Sequence, residues 1–213
     1  MNQPIRQGRN ALAMGVWVLW IDSVGGFQLL EGDQFSVGGL GGDDPADIAI
    51  RSAWRSRMAV LSRSGEDFWL KQLISGEAES ETSLAMTTSG EVLAIDKPTS
   101  GAAANEPRLR LEKPSPLSRT VVVTLDPPHR FVTPVDAFLL TDKMILIGQD
   151  RSNHIRVSRL SEGLIMIKRG DDWTIRKKDS AAQAMFDGQR IEIAGLAMTI
   201  RRELRTDESG EKR

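Results

Sequence analysis

The segment MILIGQDRSNHIRVSRLSEGLIMI, Met144 to Ile167, sets two short apolar runs on either side of a polar insert. MILI and LIMI are too short for an ordinary helix and rich in isoleucine, which favours a strand. Gly148 closes the first run, and the bulky polar pair Gln149 and Asp150 follows it. The segment reads as strand, polar loop, strand. The same texture extends outward through TVVVTL, AFLL and WTIRK, and through FQLL, QFSVG, DIAI, MAVL and DFWLKQL nearer the N-terminus. Apolar runs parted by Gly, Asp, Ser and Pro clusters about every ten residues point to an all-β chain of the sandwich type, with no substantial helix.

The two groups of strands lie over each other. FQLLEGDQFSVGG (Phe27 to Gly39) matches AFLLTDKMILIGQ (Ala137 to Gln149), placing Gly38 on Gly148. PADIAI falls on SNHIRV, RSGEDFWLK on KRGDDWTIRK, and Ser89-Gly90 on Asp187-Gly188. Two tandem copies of one β domain are expected, spanning 15–113 and 118–204. EKPSPLS, with two prolines, reads as a stiff linker between them. TSGAAANEP reads as a surface loop, and the charged tail 205–213 as disordered.

Composition excludes several functions. The 28 basic and 29 acidic residues nearly cancel, which argues against a dedicated nucleic-acid binder. There is no cysteine and there are only two histidines, His129 and His154, so thiolate sites are excluded and histidine clusters have little to draw on. ALAMGVWVLWI after Arg6 and Arg9 resembles a signal peptide, but no small-residue cleavage site follows, and a first strand is the better reading. No run reaches the ~20 apolar residues of a membrane-spanning helix. The expected location is cytoplasmic, without membrane insertion.

Both copies resemble the forkhead-associated (FHA) domain, and the whole chain resembles bacterial double-FHA proteins. In that family a strand ends in Gly-Arg, a later loop carries Ser-x-x-His, and another carries Ser-x-Asn-Gly before a turn. The second copy has Gly148-Gln149 at the first position and SEGLIMI, with Leu164 for histidine, at the second. Ser180 is kept, Ala182 stands for asparagine, and Asp187-Gly188 for the turn. The first copy has Gly38-Gly39, then Arg55 and Met58 for Ser and His. The resemblance implies two tandem FHA-like β-sandwich domains, the first degenerate, that bind a protein or phosphothreonine-peptide partner through loops at one end. The candidate ligand residues it implies are Gln149, Arg151, Ser161, Ser180, Lys178 and Asp187. Gln149 replaces an arginine whose charged fork suits phosphate, so recognition is weakened, and a phosphate-independent scaffold is the alternative. The first copy's Asp43, Asp44 and Asp47 would repel a phosphate.

Other motifs lead nowhere. GGLGGDD lacks the Gly-Lys-Ser/Thr ending of a phosphate loop, and DDPAD lacks the alternation of a calcium loop. Trp54 reads as core rather than as a partner's anchor, and Trp69 and Trp173 as structural. With no carboxylate pair, activated nucleophile or metal spacing, a non-catalytic protein without cofactor is expected.

Overall fold

The computed structural model describes residues 16–40, 45–73, 80–84, 91–94 and 106–203. Ser89-Gly90, Asp43, Asp44, most of the 99–107 loop and the 205–213 tail lie outside them. The described residues form eighteen strands and no helix. The first nine are β1 (Val16–Ile21), β2 (Gly25–Glu31), β3 (Gln34–Gly38), β4 (Ile48–Ala49), β5 (Ala59–Ser64), β6 (Asp67–Gln72), β7 (Ser80–Leu84), β8 (Glu91–Ala94) and β9 (Arg108–Glu112). The second nine are β10 (Val121–Leu125), β11 (Ala137–Thr141), β12 (Met144–Gly148), β13 (Ile155–Arg156), β14 (Leu164–Arg169), β15 (Asp172–Lys177), β16 (Gln183–Met185), β17 (Arg190–Ile193) and β18 (Leu196–Glu203). ALAMGVWVLWI thus ends in a strand, and the repeat is real at the level of strands. Gly38 and Gly148 close equivalent strands, and Gly65 and Gly170 take the same positive φ (63° and 62°) in equivalent hairpin turns.

Each half contributes one five-stranded sheet: β4-β3-β5-β6-β7 and β13-β12-β14-β15-β16. The other eight strands form one shared sheet in the order β17-β18-β1-β2-β11-β10-β9-β8. The two halves have exchanged their first hairpins. β1 pairs with the last strand of the chain, Trp20 opposite Thr199, while β10 pairs with β9, Val123 opposite Leu111. β2 and β11 run parallel at the centre, Phe27 beside Ala137.

Side-chain alternation explains why this works. In β1, Trp17, Leu19 and Ile21 face the core of the second small sheet, while Val18 faces that of the first. In β11, Leu139 goes to the one core and Phe138 and Leu140 to the other. Strands apolar on both faces suit a middle layer. The result is a three-layer sandwich in which the small sheets cover opposite faces of the shared one.

The boundary at 114–118 therefore marks where the repeat restarts, not where one core ends. Pro114, Ser115 and Ser118 are buried rather than spanning solvent, and Ser118 Oγ donates to the Met144 carbonyl at 3.2 Å. Equivalent cations also cross between halves. Buried Arg63 donates to the carbonyls of Leu140 (2.7 Å) and Thr141 (3.3 Å), and Lys168 pairs with Glu31. Trp54 and Trp173 are core as expected, whereas Trp69 is half on the surface.

Candidate functional site

Register shows which loops meet. Ile147 lies opposite Leu164, and Leu164 opposite Lys177. The chain leaving β12, entering β14 and leaving β15 must therefore emerge at one end of the second small sheet. That end carries Gln149 and Arg151, Ser161, and Lys178 and Ser180, all exposed. Five of the six candidates are brought together. Asp187 is not. β16 runs back so that Met185 lies opposite Trp173, which carries the Asp187-Gly188 turn to the far end. There Asp187 accepts the Arg202 amide at 2.8 Å, a structural duty.

The gathered residues are partly committed. The Gln149 amide donates to the Ser158 carbonyl at 2.9 Å, holding its own loop against the next. Lys177, not Arg151 or Lys178, reaches the Ser161 loop, pairing with Glu162 at 3.4 Å. The Arg176 guanidinium donates to the Lys178 carbonyl at 3.0 Å. Leu164, at the position where the resemblance has histidine, is buried in the core.

Asp22 and Arg190 were not legible as part of this end. Asp22 lies in the β1–β2 turn, which the strand exchange carries to the second half. It holds Arg190 through two hydrogen bonds of 3.1 and 2.5 Å, and its carbonyl accepts from Arg159 at 2.9 Å. The Arg190 guanidinium holds the Asp22 carboxyl below its ordinary range.

Both halves fasten the residue before the short fourth strand to the middle of the third. In the second half the Leu146 amide donates to His154 Nδ1 at 2.8 Å. In the first, Asp47 accepts from the Ser36 amide and hydroxyl, both at 2.7 Å. Asp47 is thus turned inward onto Ser36, which corrects its expected role as a carboxylate presented to a ligand.

The glycines differ in the same comparison. A Cβ on Gly38 would run into the Ser56 carbonyl, with the Arg55 carbonyl oxygen 2.7 Å away. At Gly148 the nearest atoms belong to the Asn153 side chain, 2.9 to 3.1 Å away, which can move. Gly38 is needed for close backbone approach, and Gly148 is far less constrained.

No group of three or more metal-ligating side chains occurs among the described residues. No helix in them is long and apolar enough to cross a membrane. Compared with protein-family models, with characterised proteins and with solved structures, the chain gives no match.

Proposed function

We propose that the protein is a non-catalytic interaction module of the FHA type, whose second half takes a phosphothreonine peptide weakly. The observation that carries this reading is the convergence of three loops at one sheet end, presenting Arg151, Lys178, Ser161 and Ser180 to solvent. Hydroxyls and cations are the donors a phosphate needs. A phosphate-independent scaffold is favoured by a separate observation. Glu162 stands beside Ser161, and the Gln149 amide is already engaged.

Titration against matched phosphorylated and unphosphorylated threonine peptides separates the two. Weak binding of the phosphorylated set alone is expected, lost with Ser161→Ala and Ser180→Ala together. Gln149→Arg should tighten it about tenfold or more, one charge-assisted contact being worth roughly 1.5–3 kcal/mol. Equal binding of both peptide sets would establish the scaffold and discard the reader.

A further inference from the structure

A cleft of about 550 Å³ opens beside the first half, walled by Leu125, Pro128 and Pro134 and bordered by Arg51, His129 and Arg130. None of these is a ligand residue of the reading above. The β10–β11 connection, 126–136, supplies most of the cleft. Its repeat counterpart in the first half is the short 22–24 turn, so the longer connection is an addition to the repeated frame. It lies on the β4 edge as an irregular extra strand. Ile50 and Phe131 form an antiparallel bridge, the Arg51 amide donates to the Arg130 carbonyl at 2.9 Å, and the Val132 amide to the Ala49 carbonyl at 2.8 Å.

That register sets Arg51 directly opposite Arg130. Directly opposite residues project to the same face with Cβ atoms about 4.5–5.5 Å apart, and like charges so placed destabilise the pair. Among the described residues neither guanidinium pairs with a carboxylate. Arg51 makes one long bond to the Val132 carbonyl at 3.5 Å. The carboxylate at the cleft's border, Asp136, accepts the Gly26 amide at 2.8 Å. Two arginines set opposite each other in register, neither paired with a carboxylate, beside an apolar wall in a cavity of ordinary ligand size, suit an anion.

We propose that this cleft binds a small organic anion, a phosphate or carboxylate on an apolar body, held between Arg51 and Arg130. His129 offers a further ring nitrogen at the rim, and the prolines hold the loop in place before the ligand arrives. The site needs both halves, because Arg51 follows β4 and Arg130 follows β10.

Titration of the ¹⁵N-labelled full chain with phenyl phosphate, benzoate and neutral benzyl alcohol tests this. Phenyl phosphate, benzoate or both should shift the amides of Arg51 and Phe131, the tighter ligand naming the preferred group. Arg51→Gln and Arg130→Gln should each weaken binding roughly tenfold or more. The pair Ser161→Ala and Ser180→Ala should leave it unchanged, which keeps this site distinct from the phosphothreonine reading. Without ligand, Arg130→Gln should melt no lower than the parent. Binding of neither anion, equal binding of benzyl alcohol, or full affinity in both arginine variants would overturn the proposal.

Discussion

Severed at Pro114–Ser118, the two fragments should each fail to fold alone and should recover the native spectrum when produced together. Residues 118–213 lack Trp17, Leu19, Ile21, Phe27 and Leu29, all buried in the second core. At roughly 1.5–3 kcal/mol per large apolar side chain, that loss is on the order of 10 kcal/mol, comparable with the whole net stability of a domain. Residues 1–113 likewise lack Val121, Val123, Phe138 and Leu140. A half could re-form its sandwich by taking back its own first hairpin. The opposite face of that hairpin would then stand in water, as Trp17 and Leu19 would in β1, and aggregation should follow. Circular dichroism and thermal melting of each fragment read this out. A soluble fragment with a cooperative melt near that of the parent would mean that the cores are independent.

Acid should destabilise the protein through His154 by up to about 3 kcal/mol. Burial lowers its pKa from 6.5 to about 4, and Nδ1 is occupied by the Leu146 amide. The proton of the neutral ring therefore sits on Nε2, which is buried without a partner. A base with a depressed folded pKa prefers the neutral form in the native state. Its contribution is present above about pH 6.5 and is lost as pH falls toward 4, at about 1.4 kcal/mol per unit. His154→Asn, whose side-chain oxygen can accept the same amide, should flatten the denaturation midpoint between these limits. An identical pH profile in parent and variant would show that the ring is not buried neutral.

The strands were legible because their cause is local. Short isoleucine- and valine-rich runs cut by Gly and Asp leave no helical alternative, and β12 and β14 fall where MILIG and LIMIKR stand. The offset that laid Phe27 to Gly39 over Ala137 to Gln149 reappears as the register of the parallel β2–β11 pair. The exchange of hairpins was not legible. VWVLWI and VVVTL are apolar on both faces, so either could pair with β9 or with β18, and periodicity says nothing about which.

The middle layer shows in burial and not in the apolar runs, since LIMI in β14 is as apolar as AFLL in β11. β5 and β14 alternate buried with half-buried residues, whereas every residue of β11 is buried. The resemblance grouped Gln149, Arg151, Ser161, Lys178 and Ser180, which the register sets at one end of the second small sheet. It misplaced Asp187, because the direction of β16 depends on its partner. It could not find Asp22, which is remote in sequence, or the Arg51–Arg130 pair, which depends on an irregular bridge.

The shared sheet is tested most directly by joining its two remotest strands. The chain has no cysteine, so Trp20→Cys with Thr199→Cys introduces the only two thiols. Opposite residues of an antiparallel pair have Cα atoms about 4.5–5.5 Å apart, within the span a disulfide bridges. Oxidation should give one intramolecular bond, seen by peptide mapping of the monomer, with a raised melting temperature. Thiols that stay free, or that join only between molecules, would contradict the pairing of β1 with β18 within one chain.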